Sequence, residues 1–266
     1  MNVALIGAGN VATHLGLALQ KVNISICGVY SRKKSSATTL SAQLSCFGTT
    51  HLDALPQADI YFLAISDDAI IDIARQLTRL FPTATLVHTA GSVPLKALSN
   101  IHHPAGVLYP LQTFSKERMI DFSEVPLFIE ATDNPTEEKL LDIAHRLSKN
   151  VAILPSDKRQ LLHLAAVFAC NFVNHCYALA EDALANSGVH IEALLPLIQE
   201  TARKVHELSP CTAQTGPAVR WDKSVMAKHE DLLKTSPAIQ EIYRMMSHSI
   251  HQTALRHAKN PKQRND

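Results

Sequence analysis

The sequence predicts an α/β fold with a doubly wound, mostly parallel sheet, followed by an all-helical region. Short apolar runs alternate with helical patterns over the first 155 residues, as they do in βαβ units. A glycine-containing turn separates the first apolar run from the first helical pattern. Beyond residue 155, apolar residues recur at helical spacing only. We therefore expect two domains, residues 1–155 and residues 156–266.

Each element of this prediction has its own apolar pattern. The predicted strands are residues 3–6, 24–30, 59–65, 86–89, 107–115, 127–131 and 151–154. Between them we expect helices after the glycine turn, over residues 36–44, from about 67 to 80, and over 136–147. The second domain should contain helices over 157–187, 191–208, 222–233 and 237–257, with Pro196 able to kink the second of these. Residues 259–266 are polar and are expected to fray.

Three small residues form a G-x-G-x-x-A pattern directly after the first predicted strand. Gly7 permits a tight turn, Gly9 lets a pyrophosphate approach the backbone, and Ala12 lets the helix pack close to the sheet. The helix N-terminus offers free N–H groups to phosphates. The alternative is a structural turn in some other α/β domain, but the strand and amphipathic helix on either side favour dinucleotide binding. The expected contacts are Gly7, Ala8, Gly9, Asn10 and Val11.

Basic residues follow the second predicted strand, where NAD-specific folds carry an acid for the ribose 2′-hydroxyl. The first acidic residue of the chain is Asp53, well beyond this point. Ser31, Arg32 and Lys33 stand there instead, and they suit the 2′-phosphate of NADP. The Arg32 guanidinium can also stack on adenine. A solvent-exposed basic turn is the alternative, and NADP is the predicted cofactor.

Two further strands are predicted to end in small and polar residues. In α/β sheets, ligands bind at the carboxyl ends of strands. The candidate cofactor contacts there are Ala64, Ile65, Ser66, Thr89 and Ala90. Asp67 and Asp68 follow one of these strand ends, and we expect at least one of them to cap the next helix.

Composition excludes several classes of protein. A net charge of +1 argues against a general nucleic-acid or anionic-membrane binder. No apolar run comes near the length of a membrane span, and the chain enters a strand without a signal-like segment. The 5 cysteines include no C-x-x-C pair, which indicates reduced thiols and a cytoplasmic protein. No metal site is expected, because the histidines do not show a zinc-binding pattern.

Polar side chains recur on the first helix of the second domain. His163, Asn171 and Asn174 lie on roughly one face of a helix that we expect to be largely buried. They either satisfy one another or line a polar pocket for a substrate carboxylate or carbonyl. Further along, Arg220 can clamp a carboxylate. Asp222 either orients Arg220 or caps the next helix.

These residues resemble the family of Rossmann-like proteins with a C-terminal domain of unknown function 2520, over nearly the whole chain. The marks are residues 7–12, 88–92, 109–114, 163–171 and 215–217, with Arg220 and Asp222. Members are commonly labelled NADP oxidoreductases. The wider relatives are pyrroline-5-carboxylate reductase, ketopantoate reductase and the β-hydroxyacid dehydrogenases.

The resemblance implies a helical domain like the C-terminal domain of 6-phosphogluconate dehydrogenase. It further implies NADP in the sheet domain, a small carboxylate substrate against a long helix of the second, and helical domains that pair into a homodimer. The implied substrate contacts are Gln112, Thr113, Asn174 and Arg220.

One departure bears on catalysis. Ketopantoate reductases, which this chain resembles, have a pattern similar to K-x-x-x-N-x-x-x-N along this helix, with the lysine as proton donor or polariser. Alignment of the last amide with Asn171 places His163 at the lysine and Val167 at the middle amide. Lys158 is one turn too early. His163 is then the natural replacement acid, and Asn171 could bind the substrate hydroxyl or carboxylate.

The combined prediction is an NADP-dependent oxidoreductase that reduces a C=O or C=N group of a small carboxylate in the cleft between the domains. The resemblance implies a ketopantoate-like molecule as one candidate for that carboxylate. The rival is a dinucleotide-binding sensor or scaffold without turnover, which the missing lysine favours. A deazaflavin in place of NADP is also open, although the basic residues at 32–34 argue against it.

Overall fold

The computed structural model describes residues 1–185 and 187–259, and the chain divides into two units, Met1–Asn171 and Phe172–Asp266. The predicted boundary between residues 155 and 156 stays a prediction. It lies at the start of a helix that continues from the first unit into the second. The predicted frayed end over residues 260–266 lies outside the described residues.

The first unit contains one sheet of eight strands in the order β3-β2-β1-β4-β5-β6-β7-β8. The strands are β1 Asn2–Ile6, β2 Ser25–Tyr30, β3 Phe47–Thr49, β4 Ile60–Leu63, β5 Thr85–His88, β6 Ala105–Pro110, β7 Leu127–Ala131 and β8 Val151–Ile153. Neighbouring strands are parallel except for β6 and β7. The doubly wound, mostly parallel sheet is therefore confirmed. The short edge strand β3 was not predicted, because three residues with a central glycine give no periodic signal.

Helices cover the sheet of the first unit. They are α1 Asn10–Lys21, α2 Lys34–Gln43, α3 Asp67–Leu80, α4 Leu95–Ser99, α5 Asn134–Leu147 and α6 Ser156–Ala166. Strand β1 shows why this arrangement is stable. Val3 and Leu5 belong to one buried cluster, and Ala4 and Ile6 belong to another. A strand buried on both faces reads as a continuous apolar run, which is the pattern found at the start of the sequence.

The strand order reverses at β1, which is the topological switch point of the sheet. From β1 the chain passes through α1 to β2 on one side, and β4 pairs with β1 on the other. The two crossover directions leave a crevice beyond the carboxyl ends of β1 and β4. The turn at residues 7–9 lies at this crevice.

The second unit is helical, as predicted. Its helices are α7 Val173–Leu184, α8 Leu195–Glu207, α9 Pro210–Ala213, α10 Pro217–Arg220, α11 Lys223–Leu232 and α12 Pro237–Lys259. Pro196 does not kink a helix, because it lies in the first turn of α8, where a proline needs no donor. Asp222 caps α11, and its carboxylate accepts the Val225 N–H at 3.2 Å.

Helix α6, a π-helical segment Val167–Phe172 and α7 form one helix over Ser156–Leu184. The expectation that this helix is largely buried is wrong. Within it, Arg159 is the buried residue among those described, whereas Leu161 and Leu164 are 68% and 54% exposed. The apolar pattern of the sequence shows that this face avoids water but not that the same chain covers it.

The length and composition of this helix also correct the expectation that no apolar run could span a membrane. By these two criteria alone the helix is long and apolar enough to cross a bilayer. That is weak evidence, since core helices of water-soluble proteins pass the same test.

The first turn of this helix is anchored to the sheet by Arg159, which pairs with Glu130 on β7.

Candidate active site

The turn after β1 requires glycine at position 7 and leaves open space beside position 9. Gly7 has φ 117°, and a Cβ there would lie 2.2 Å from the Ala64 carbonyl oxygen. Its N–H donates to the Tyr30 carbonyl at 2.8 Å, which ties the turn to β2. A Cβ on Gly9 would meet nothing within 4 Å. The first turn of α1 contains no acid, and no side chain caps it. These features suit a pyrophosphate over Gly9.

A cavity of about 1180 Å³ opens above this turn. Every residue predicted to contact the cofactor lines it: Gly7, Ala8, Gly9, Asn10, Val11, Ser31, Arg32, Lys33, Ala64, Ile65, Ser66, Thr89 and Ala90. The volume exceeds the range of roughly 300–1,000 Å³ typical of pockets for small ligands. It is therefore large enough for a ligand bigger than a drug-sized molecule.

We expect Gly9→Ala to separate cofactor binding from folding. Gly9 has φ −82°, which any residue adopts, so the methyl group should leave stability unchanged. The same methyl occupies the space we assign to the pyrophosphate. Steric insertion of this kind costs about 1–3 kcal/mol, which corresponds to an NADPH dissociation constant raised about 5- to 150-fold. Fluorescence titration with NADPH measures this.

Gly7→Ala is the matched variant. Its methyl would overlap the Ala64 carbonyl, so it should lower the melting temperature. Equal NADPH affinity in Gly9→Ala and wild type would contradict the assignment of this turn.

The loop after β6 folds back over the glycine turn. The Asn10 side-chain amide donates to the Phe114 carbonyl at 2.7 Å, and Nε2 of His14 lies 2.8 Å from the Ser115 carbonyl. Lys116 Nζ donates to the Ala8 carbonyl at 2.8 Å and lines the cavity. Sequence analysis missed this cation beside the glycine turn. The available signal was a lysine shortly after a strand that ends at the ligand-binding edge of the sheet.

His163 and Tyr109 form a hydrogen-bonded pair in the same cavity. The Tyr109 hydroxyl lies 3.0 Å from Nδ1 of His163, and both residues line the cavity. A Cβ at Gly91 would lie 2.6 Å from that nitrogen, so the glycine allows the pair to pack against the loop after β5. Burial raises the pKa of Tyr109, and the Arg159 charge partly offsets the shift. Tyr109 therefore stays a neutral phenol whose hydroxyl can donate a hydrogen bond.

Arg159 anchors the helix one turn before His163. It is fully buried, pairs with the Glu130 carboxylate, and donates to the Val93 carbonyl at 2.6 Å. Glu130 also accepts the Ser156 N–H at 3.1 Å and the Ser156 hydroxyl at 2.6 Å. These bonds fix the start of α6 against β7 and the loop after β5, and they thereby set the position of His163.

His88, on the neighbouring strand β5, is neutral in the fold. Burial, and secondarily the Arg159 charge, lowers its pKa to about 3. Its Nδ1 accepts the Ala90 N–H at 3.2 Å, so the ring already has its acceptor in use. Because the folded state holds His88 neutral, protonation of this histidine at low pH favours the unfolded state.

We therefore expect stability to fall as the pH drops below the ordinary histidine pKa of about 6.5 and to continue falling toward pH 3. The slope from this single group is about 1.4 kcal/mol per pH unit. His88→Asn keeps an acceptor for the Ala90 N–H but does not titrate, so it should flatten the dependence. Urea unfolding between pH 4 and 7 measures this. An unchanged slope in His88→Asn would exclude His88 as the source.

The remaining predicted site residues occupy different places. Gln112 lines the cavity, whereas Thr113, whose N–H donates to Gln112 Oε1 at 2.8 Å, is not among the described residues that line it. Asn171 is exposed in the π-helical segment of the first unit. Asn174 and Arg220 are exposed in the second unit. Their roles stay predictions.

Neither acid at the start of α3 caps that helix. The N-cap is Ser66, and Asp67 and Asp68 lie in the first turn, where their charge suits the helix dipole. The Asp67 carboxylate instead accepts the Ser92 hydroxyl and so joins α3 to the loop after β5. Capping was therefore the wrong role for these two residues.

A doubly wound sheet with an open glycine turn at its switch point and a helical second unit defines a dinucleotide-binding oxidoreductase fold. Comparisons with known proteins agree. Residues 2–91 match the family described as NADP oxidoreductase, coenzyme F420-dependent, and residues 125–250 match domain of unknown function DUF2520. The chain is 44% identical to a "putative NADP oxidoreductase" from Bacteroides fragilis, covering 94% of this chain and 98% of that one, with a TM-score of 0.91. The chain belongs to this family of NADP oxidoreductases with a DUF2520 region.

More distant structures share the fold. An imine reductase from Myxococcus stipitatus in complex with NADP⁺ is 16% identical, with coverage of 100% and 97% and a TM-score of 0.66. A reductive aminase from Aspergillus terreus in complex with NADPH and ethyl-5-oxohexanoate is 13% identical, with coverage of 100% and 96% and a TM-score of 0.64. No curated protein matches the chain.

Proposed function

We propose that this oxidoreductase binds NADPH and transfers its hydride to a C=O or C=N group of a small carboxylate, of which ketopantoate is one example. The observation that carries the proposal is the single cavity that contains both the phosphate-binding turn and the Tyr109–His163 pair. A nucleotide site and a proton donor in one cavity are what a reductase requires.

The protein's own groups bind, orient and protonate. Gly9 and the N-terminus of α1 receive the pyrophosphate, and Arg32 with Lys33 receives the 2′-phosphate. NADPH supplies the hydride when it is bound. His163 donates a proton to the oxygen or nitrogen of the reduced group, which would otherwise carry developing negative charge. Gln112, Thr113, Asn171, Asn174 and Arg220 complete the proposal as substrate contacts.

The proposal includes a cytoplasmic homodimer that pairs through the helical region and binds neither nucleic acid nor a membrane. Leu161 and Leu164 support it, because a second copy of the chain would remove these exposed side chains from water. Sedimentation equilibrium tests the oligomeric state.

The function is tested by NADPH oxidation with a panel of 2-keto acids and cyclic imino acids. Turnover of at least one panel member supports the proposal. NADPH binding without turnover of any member favours the sensor or scaffold. Reduced coenzyme F420, offered in parallel, distinguishes a deazaflavin-dependent reaction from an NADPH-dependent one.

Two cations at different places in the cavity allow the proposed pyrophosphate site and the proposed 2′-phosphate site to be tested separately. Lys116→Met removes a charge beside the phosphate-binding turn, so it should weaken NADPH and NADH by the same factor. Arg32→Leu removes a charge at the predicted 2′-phosphate site, so it should weaken NADPH far more than NADH, which loses at most the stacking of the guanidinium on adenine. Each charge-assisted hydrogen bond is worth about 1.5–3 kcal/mol, or about 10- to 150-fold in dissociation constant. Titration of both variants with both cofactors measures the effects. A loss confined to NADPH in Lys116→Met would contradict the proposed contact with the pyrophosphate.

A further inference from the structure

We propose that Tyr109 is a positioning and proton-relay residue: its hydroxyl donates to Nδ1 of His163, and Nε2 carries the proton that passes to the substrate. This inference rests on the proposed function. The geometry that carries it is the 3.0 Å distance between the Tyr109 hydroxyl and Nδ1 of His163 in a shared cavity.

The direction of this hydrogen bond follows from the surroundings of the hydroxyl. Among residues 1–185 and 187–259, Nδ1 of His163 is the one hydrogen-bond partner that the Tyr109 hydroxyl has. Tyr109 is 7% exposed, and a hydroxyl proton turned away from His163 would give up the one hydrogen bond that this hydroxyl has within the described part of the chain. Donation from Tyr109 to Nδ1 avoids this loss, and it leaves the imidazole proton on Nε2.

The charged and titratable groups around the pair support a relay. Arg159 on α6 lies close enough to lower the pKa of Tyr109, although burial has the larger and opposite effect. Glu130 on β7 is bound to Arg159, and His88 on β5 is neutral. The Asp67 carboxylate on α3 accepts the Ser92 hydroxyl, and Lys116 donates to the Ala8 carbonyl. Arg159 is therefore the cation whose charge acts on Tyr109, and it stabilises negative charge on the phenol oxygen.

The relay balances in atoms and charge. When NADPH is bound, it would supply a hydride to the carbonyl carbon, which leaves NADP⁺ and an alkoxide on the substrate. The Nε2–H bond breaks as the alkoxide takes that proton, and the Tyr109 O–H bond breaks as Nδ1 takes the phenol proton. The products are an alcohol, a neutral imidazole and a tyrosinate, which solvent reprotonates through the cavity. An alkoxide is far more basic than a tyrosinate, so the transfer runs toward the alcohol.

The first test needs no turnover. Ring nitrogen chemical shifts of ¹⁵N-labelled histidine, assigned with His163→Gln, report which nitrogen carries the proton. We expect the Nε2–H form of His163 in the wild type and a loss of that preference in Tyr109→Phe. Tyr243→Phe is the matched control, because Tyr243 and Nδ1 of His229 form a similar pair, 2.9 Å apart, in the second unit. It should leave His163 unchanged. An Nδ1–H form in the wild type, or no change in Tyr109→Phe, overturns the proposal.

The second test uses the pH profile of turnover with a carbonyl substrate from the panel. A lone imidazole donates readily only while it holds a second proton, whereas the pair can donate from the neutral state. We expect kcat of Tyr109→Phe to fall about 10- to 100-fold relative to wild type at alkaline pH and to recover in acid, with KM unchanged. Tyr243→Phe should follow the wild type. Parallel profiles for Tyr109→Phe and wild type overturn the relay, whereas absence of turnover in the wild type refutes the proposed function and leaves the nitrogen shifts to decide the hydrogen bond.

Discussion

Replacement of His163 by glutamine is expected to lower kcat by about 10²- to 10⁴-fold, because the reaction loses its general acid. Glutamine keeps an oxygen that can accept from the Tyr109 hydroxyl, but its amide cannot give up a proton to an alkoxide or amine. NADPH affinity should stay unchanged, since the proposed cofactor contacts follow the carboxyl ends of β1, β2, β4 and β5 and do not include His163. Steady-state kinetics with the best panel substrate, together with NADPH titration, measures both quantities.

His175→Gln is the matched control for this prediction. His175 is an exposed histidine on α7 and does not line the cavity. Its replacement should leave kcat at the wild-type value. A His163→Gln enzyme as fast as wild type would show that another group, or water, protonates the substrate.

The parts of the fold that depend on residues close together in the sequence could be predicted. Gly7, Gly9 and Ala12 follow a strand and precede a helix, so the reason for each residue lies within a dozen positions of the chain. The strand β1 was visible for the same reason, because burial on both faces makes it a continuous apolar run. Arg32 was selected from its distance along the chain to the glycines, and it lines the same cavity as they do.

The proposed proton donor and the residues that hold it were only partly predictable, because their partners are distant in sequence. His163 was singled out, yet its partner Tyr109 lies 54 residues away, and Lys116 reaches back 108 residues to Ala8. Such contacts depend on strand order and on the path of the loop after β6. Periodicity reports which residues avoid water and says nothing about which side chains meet across the sheet.

The long helix Ser156–Leu184 shows that apolar spacing can also predict burial that the single chain does not provide. Its apolar spacing predicted burial, but Leu161 and Leu164 are exposed in the single chain. Apolar spacing predicts that a face is shielded from water. It does not show whether the same chain, a second copy or another surface provides the shielding. The amides at Asn171 and Asn174 were interpreted against that expected burial, so their roles need tests of their own.

Arg159→Met is expected to destabilise the fold by about 3–5 kcal/mol, because it leaves the Glu130 carboxylate largely buried without its cation. The converse change, Glu130→Gln, leaves a fully buried guanidinium without its anion and should cost a similar amount. Urea unfolding of both single variants measures these losses. Activity should fall as well, since the start of α6, and with it His163, is no longer fixed to β7.

The double variant Arg159→Met/Glu130→Gln decides whether the pair itself carries the effect. Once both charges are gone, no unpaired ion remains in the interior, so the double variant should cost clearly less than the sum of the singles. The exposed pair Lys149–Glu124, 2.6 Å apart, provides the control, because water solvates each of its ions separately. The corresponding cycle with Lys149→Met and Glu124→Gln should show no measurable coupling. Additive losses at Arg159 and Glu130 would instead mean that their separate bonds to Val93 and Ser156, and not their charges, hold α6 in place.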